Sequence, residues 1–383
     1  MAGAPLTTFV IKSFLNEPKM EDVVLEAAPG AGYHLRRPEQ LQFMRIPLML
    51  DSERTQSVIS RFESARIAVV GDYIADLYLE VSPARLSREA PVMVVKEQGE
   101  RIVPGGAANA ANNLCALGAT VVPIGVVGSD TQGRSLLQKM SSDGMSTDGM
   151  VVQDGYCTIS KTRVMAAAEN RTPQQILRID REPTAEVSSE SRELIQANLA
   201  NVLGSVDAVL FSDYGYGAVR SGLVEVARSH QSSPLLAADS RYGLGGFAHV
   251  DFVSPNHEEA AAFCGFTVSS DEETERAAHQ LMDDLSLQAT LVTRGNRGMT
   301  LLDADRKITH ISAAGKSDEV TDVSGAGDTV ISMMTLAQVA GATHLESAYL
   351  ANCGAGVVVS KLGAATCSPE ELMQAIALEQ ERD

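Results

Sequence analysis

Residues 321–330 read TDVSGAGDTV and run into ISMMTLAQVAGA, a stretch whose composition suits a helix. Gly325, Ala326 and Gly327 fall at the start of that helix, where small side chains let successive backbone N–H groups converge on an anion. Asp328 follows in the first turn. A carboxylate placed there can take the proton of an attacking hydroxyl, while the N–H groups bear the charge that spreads over a phosphoryl group in transfer. The plain alternative is a tight turn with an acid in the first helical turn. The segment is neither the lysine-bearing phosphate loop GxxxxGK[ST] nor the dinucleotide fingerprint GxGxxG after an early strand.

The elements around this turn must deliver an acceptor and a donor to it. ARIAVVGD, from residue 65, is a short apolar β-run ending in Gly71 and Asp72, which brings that acid to the carboxyl edge of a sheet. APVMVVK and the residues to 103 suit strands. Gly105 and Gly106 interrupt them ahead of an Ala-rich helix that carries Asn109, Asn112 and Asn113. TVVPIGVVG reads as a strand and residues 131–142 as a helix. YCTISKTRVMAA and QQILRIDRE alternate as strands do, with a polar turn between them at ENRTP. From residue 191 onward helices and strands take turns: helices near 191–203, 218–229, 257 and 274–285, and strands DAVLFSD, PLLAADS, DFVSPN and ATLVTRG. That beat predicts parallel crossovers and a doubly wound sheet, with the earlier strand-rich segments standing apart as a small lid.

The chain has 383 residues, 44% of them hydrophobic, enough for one large α/β domain with a small accessory element. A formal net charge of −18 argues against a general nucleic-acid surface, which needs concentrated Lys and Arg. Five cysteines without CxxC spacing favour a reducing compartment over a disulfide framework or zinc site. The first residues lack the pattern of a secretion signal, and no apolar run reaches spanning length, so a cytoplasmic protein without a membrane partner is expected. Residues 1–55 read unlike the rest. They are expected to be an N-terminal extension, either loosely attached or a surface contact, ahead of a domain at 56–383.

VVGDYIADLYLEVSPARLSREAPVMVV, VPGGAANAANNLCALGA, QQILRIDRE, LFSDYGYGAV, SPNHEEA, LVTRGNRGMTLL, DVSGAGDTV and NCGAGVVVSKLGAATCSPEEL follow one another in the order of a known family. Over about residues 60–380 the chain resembles the ribokinase-like (PfkB) carbohydrate kinases. Within them, residues 85–91 and QQILRIDRE make it most similar to the bacterial heptose 7-phosphate kinases. The resemblance implies a three-layer α/β sandwich with a mostly parallel doubly wound sheet and a small β-lid from segments near 75–104 and 155–182. It implies ATP as phosphoryl donor, Mg²⁺, a monovalent cation such as K⁺ in some members, and a small sugar as acceptor. Transfer to the anomeric hydroxyl of a heptose 7-phosphate is expected. Another sugar or nucleoside acceptor, or binding without turnover, are the alternatives.

Carried over by resemblance, Asp328 is the base and Gly325–Gly327 the anion hole. Asp72, Gly105, Gly106 and Asn109 match the sugar-binding set: a carboxylate and an amide hold hydroxyls directionally, and glycines let the backbone approach. Lys161, Arg163 and Arg178, with Arg241, are candidates for an acceptor phosphate, or equally a solvated charged face. Asn256 and Glu259 match an Asn-x-x-Glu element that organises Mg²⁺ through water, with a helix N-cap as the simpler role and Asp239 nearby. Thr293, Arg294 and Gly295 are expected at the nucleotide phosphates, Asn352 and Gly356 towards the adenine. His257 has no second ligand at metal spacing. Tyr216 stands where the heptose branch often has Lys, which bears on the sugar more than on the chemistry. The heptose enzymes are often fused to a nucleotidyltransferase, which the motif run to Asp383 leaves no room for. The lid is expected to close over the sugar and exclude water, and its edge strands to offer a homodimer surface.

Overall fold

The computed structural model describes residues 24–28, 31–36, 52–167, 173–315 and 320–382. The chain divides into two units, Met1–Pro47 and Leu48–Asp383. In the first, β1 (Val24–Ala28) pairs antiparallel with β2 (Ala31–Arg36).

The second unit opens with α1 (Ser52–Ile59) and then enters the sheet at β3 (Arg66–Gly71). Strands β4 (Tyr73–Leu86) and β5 (Met93–Gly106) follow, then α2 (Ala107–Ala116), β6 (Thr120–Gly128), α3 (Thr131–Ser142) and β7 (Met150–Gln153). After β8 (Ser160–Ala166) and β9 (Gln174–Arg181) come α4 (Ser189–Val202), β10 (Ala208–Asp213), α5 (Gly222–Arg228), β11 (Leu235–Ser240), β12 (Phe252–Val253) and α6 (His257–Cys264). The chain ends with α7 (Asp271–Leu285), β13 (Ala289–Thr293), β14 (Met299–Leu302), β15 (Ile308–Ile311), α8 (Ala326–Val339), α9 (His344–Val359) and α10 (Pro369–Arg382).

The main sheet has the order β15-β14-β13-β12-β11-β10-β3-β6-β7, with every pairing parallel except β13–β14 and β14–β15. Both faces are buried. Ala68, Val70, Val209 and Phe211 meet the apolar sides of α4, α5 and α7, while Ile67, Val69 and Leu210 are buried on the opposite side, where α2, α8 and α9 pack. Strands buried on two faces read as unbroken apolar runs, as ARIAVV and AVLF do. The chain leaves β3 towards β6 and β7 and later returns to its other flank at β10, so the strand order reverses beside β3. Such a switch point opens a crevice at the carboxyl ends of β3, β10 and β11.

The lid is a sheet of order β5-β4-β8-β9. Two details differ from the sequence reading, and one expectation falls outside the described residues. The strands expected before Gly105 are one long strand, β5, paired with an equally long β4 that runs on from β3. The turn expected at ENRTP has residues 169–172 outside the described ones. The hairpin β14–β15 extends the main sheet antiparallel, because Gly298 turns the chain back at φ 78° where a Cβ would lie 1.9 Å from the Ile311 carbonyl oxygen.

Candidate active site

Helix α8 begins at Gly325, whose φ of 80° is left-handed. A Cβ at that position would lie 2.5 Å from Nδ2 of Asn109, so the turn and the neighbouring helix α2 require glycine together. Asp328, 4% exposed, is one turn further in. Asn109 Nδ2 donates to its Oδ2 at 2.7 Å, and the Tyr214 hydroxyl donates to its Oδ1 at 2.9 Å. The Asn109 amide is itself oriented, since Asn113 Nδ2 donates to its Oδ1 at 3.3 Å while Thr329 Oγ1 donates to Asn113 Oδ1 at 3.0 Å. Burial pushes Asp328 up to about 6; the bonds from Asn109 and Tyr214 and the charge of Lys161 hold it down, and Asp76 opposes them. Such a carboxylate is ionised at neutral pH and is a stronger base than an exposed one.

Asp72 lies at the end of β3, 1% exposed. Its Oδ2 accepts from the N–H groups of Tyr214 (2.9 Å) and Tyr216 (3.0 Å), and its Oδ1 from Ala218 (3.1 Å). Burial pushes its pKa up to about 6 against those three bonds. Its carboxylate therefore folds the loop 213–218 after β10, and the hydroxyl-holding position expected of it is occupied by backbone. Four residues on, Asp76 in β4 is 6% exposed and its Oδ1 stands 2.8 Å from Nη1 of Arg163. Gly105 makes room for it, because a Cβ there would meet the Asp76 Cγ at 2.8 Å. Gly106, at φ 57°, starts α2 against the Asp72 carbonyl.

The cations expected on the lid separate. Lys161 on β8 lies 5.4 Å over the Tyr214 ring, and burial lowers its pKa, with Asp76 opposing and Arg241 adding to that lowering. Arg163 ties Asp76 and faces Tyr78, whose ring also carries Arg101. Arg178 on β9 pairs with its own neighbour, Asp180, at 2.8 and 2.9 Å.

On the far side of the α8 turn lies a cavity of about 580 Å³, bordered by Thr293, Gly295, Ala326, Gly327, Asn352 and Gly356. Asn352 shapes its wall: Nδ2 donates to the Ser312 carbonyl at 2.8 Å and Oδ1 accepts from the Ala314 N–H at 3.4 Å. Gly356 permits the close approach of that wall, since a Cβ would meet the Ala314 oxygen at 3.1 Å. Arg294 does not border the cavity. Its guanidinium binds Asp271 and the Arg297 carbonyl, so it braces the turn after β13 instead of reaching a nucleotide.

Asn256 caps α6 with a reciprocal box: its Oδ1 accepts from the N–H groups of Glu258 and Glu259, and Glu259 Oε2 accepts from the Asn256 N–H at 2.9 Å. A bridge to Thr293 brings this cap beside the cavity. Burial raises Glu259, and it raises Asp239 at the end of β11 well above the carboxylate range, with Glu259, Asp328 and Asp213 adding their repulsion. Among the described residues no three His, Cys, Asp or Glu side chains lie close enough to hold an ion directly. Together with the Asn256 amide, the Glu259 carboxylate, beside Asp239 whose repulsion a dication would relieve, fits a Mg²⁺ held through water.

The sequence pattern of the pfkB family carbohydrate kinases matches residues 64–371. The chain belongs to that family. This pfkB carbohydrate kinase is 36% identical over 332 residues to the bifunctional protein HldE of Pelobacter propionicus, covering 86% of this chain and 67% of that one. It is 38% identical over 317 residues to the protein of the same name from Desulfatibacillum aliphaticivorans, covering 82% and 63%. The kinase chain thus spans about two thirds of the length of the curated relatives it matches. Among solved structures, Arabidopsis thaliana ribokinase complexed with ribose and ATP superposes with a TM-score of 0.62 at 18% identity, over 82% of this chain and 98% of that one. Escherichia coli phosphofructokinase-2 in complex with substrates and products gives 0.66 at 15%, over 82% and 99%. The kinase shares their ribokinase-like fold, and by family it is an ATP-dependent carbohydrate kinase.

Two residues of the kinase site escaped the sequence reading. Asp76 is a lone acid in the apolar strand YIADLYL, and that isolation was the available signal. Tyr214 carries no signal in LFSDYGYGAV beyond an aromatic beside glycines. Its hydroxyl contact with Asp328 depends on the course of the loop after β10, for which the sequence carries no periodic signal.

Proposed function

We propose that the chain transfers the γ-phosphoryl group of ATP to the anomeric hydroxyl of a heptose 7-phosphate, with Asp328 as general base. The observation that carries this is the position of Asp328. It is a buried carboxylate held from two sides at a helix start, with the cavity bordered by Ala326 and Gly327 on one hand and Asp76 and Lys161 on the other. The hydroxyl proton passes to Asp328, the freed oxygen attacks phosphorus, and the bond to the ADP oxygen breaks in line. The N–H groups of residues 325–327 hold the transferring oxygens. Thr293, Gly295, Asn352 and Gly356 enclose the nucleotide, while Asp76 and Asn109 orient the sugar, with Gly105 and Gly106 admitting it. Lys161 and Arg241 are the cations left to meet an acceptor phosphate, because Arg163 and Arg178 are engaged by acids. Glu259 and Asn256 would organise Mg²⁺ through water, and the ion would supply charge neutralisation at the phosphates.

The heptose assignment rests on the likeness to the HldE proteins and on the lid cations. A monovalent cation beside the α8 turn joins the proposal, since Escherichia coli phosphofructokinase-2 has been solved in complex with potassium. A homodimer through the lid edges β5 and β9, and a cytoplasmic location, belong to the same reading. No helix among the described residues is long and apolar enough to cross a membrane.

The test is ATP consumption by the purified protein with Mg²⁺ against heptose 7-phosphate, fructose 6-phosphate, fructose, ribose and adenosine, with the product read by phosphorus NMR. A heptose 1,7-bisphosphate is expected. Turnover confined to another acceptor would replace the substrate, and none with any sugar or sugar phosphate would overturn the reaction.

A further inference from the structure

Asp328 is reached from five elements. Asn109 comes from α2, Asp76 from β4, Lys161 from β8, Tyr214 from the loop after β10 and Asp239 from the end of β11. Among the described residues Asn109 and Tyr214 hydrogen-bond to its carboxylate, one on each oxygen. An ionised carboxylate has about four lone-pair directions, so each oxygen keeps room for one more donor, the incoming hydroxyl. Tyr214 differs from Asn109 in how it is held. Asn109 sits inside a packed helix, whereas Tyr214 belongs to the loop that Asp72 folds through the N–H groups of Tyr214, Tyr216 and Ala218. The same loop touches the lid, where the Tyr216 hydroxyl donates to Glu182 at 3.1 Å.

We infer that Tyr214 is a positioning residue for the base: anchored by Asp72, it donates its hydroxyl proton to Asp328 and so keeps that carboxylate in its proton-accepting form at the mouth of the cavity. Its own phenol is pushed well above the usual range by burial, with Asp328 and Asp239 adding to it, so it remains a donor across the neutral range. A donor to the charged form favours that form, and losing it shifts the carboxylate towards protonation. Asp72 thereby acts on the reaction without touching a reactant, by fixing the loop that carries the donor.

The inference rests on Asp328 being the base, so its test includes a measurement that needs no turnover. Aspartate labelled with ¹³C at the carboxyl is titrated by NMR in the unliganded parent and in Tyr214→Phe, with Asp328→Asn assigning the signal. The parent midpoint is expected near 6. In Tyr214→Phe it rises by about one unit, the size of a lost hydrogen bond to the ionised form. The acid limb of kcat rises with it, and the rate returns to the parent plateau at higher pH. Tyr216→Phe, on the same loop, leaves the midpoint in place. An unmoved midpoint in Tyr214→Phe overturns the inference, as does a fall in the plateau without a shift of the limb. A shifted midpoint in a protein that phosphorylates no sugar would sustain the Tyr214 contact while refuting the kinase chemistry.

Discussion

Gly325 and Asp328 stand three residues apart and do different work, and each has a separate consequence when changed. Gly325→Ala places a Cβ at φ 80° against Asn109, so it is expected to destabilise the fold by about 1–2 kcal/mol from the backbone alone. Urea unfolding measures this, and a loss within the error of the parent would show that the turn is not held as described. Asp328 has its folded pKa raised from 3.8 to about 6, so its ionisation opposes folding. The sign follows: below 3.8 the group is neutral in both states, and as pH rises towards about 6 the folded state bears a growing penalty. Relative to Asp328→Asn, the parent should therefore lose stability over that window and keep the deficit above it. Thermal unfolding of the two proteins at a series of pH values checks it, and a variant that is much less stable at pH 8 would contradict it. At this scale the glycine turn and the acid behind it were legible by residue type, while Asn109 entered through the family resemblance. The sequence could not show that Asp72 is occupied by backbone N–H groups or that Arg294 faces Asp271, because both depend on where loops carry their donors and acceptors.

Helices α2 and α8 are joined by side chains as well as by packing. Thr329 bonds Asn113, Asn113 bonds Asn109, Asn109 bonds Asp328, and Ser332 Oγ donates to the Ala110 carbonyl at 3.1 Å. Thr329→Val leaves a buried amide oxygen without its donor, at a cost of about 1–3 kcal/mol. Because that amide orients Asn109, kcat should fall while the KM for ATP stays near the parent value. Equal change in both would place Thr329 in folding only. On the other flank of α8, Gly356→Val fills the close approach of α9 to the cavity wall at Ala314. Its expected effect is the reverse, a raised KM for ATP with kcat little altered, measured by initial rates over a range of ATP. The alternating and apolar-run patterns made most of the strands and helices legible, including the lid. The β14–β15 hairpin was not, since the short polar turn between its strands resembles any other loop.

The whole molecule carries a formal net charge of −18 while gathering Asp72, Asp213, Asp239, Glu259 and Asp328 around one crevice. Such a crevice repels a polyphosphate until a dication enters with it. Mg²⁺ and ATP together should raise the unfolding temperature, by about 2.7 kcal/mol of stabilisation at a hundredfold excess over Kd. ATP with a chelator should do far less, and equal shifts would argue against a role for these acids. The fold class followed from the order of apolar runs and glycines because a doubly wound sheet leaves that record along the chain. The acceptor did not, because which side chains meet it depends on loops such as the one carrying Tyr216, whose course leaves no periodic record in the sequence.

Turnover of ATP and heptose 7-phosphate by Asp328→Asn, with folding confirmed by circular dichroism and ATP affinity by calorimetry, bears most directly on the central claim. Removal of a general base should lower kcat by about 10²–10⁴-fold with ATP bound nearly as tightly as by the parent. A folded variant that turns over at the parental rate would show that the proton goes elsewhere, and that the buried carboxylate at the head of α8 is not the base.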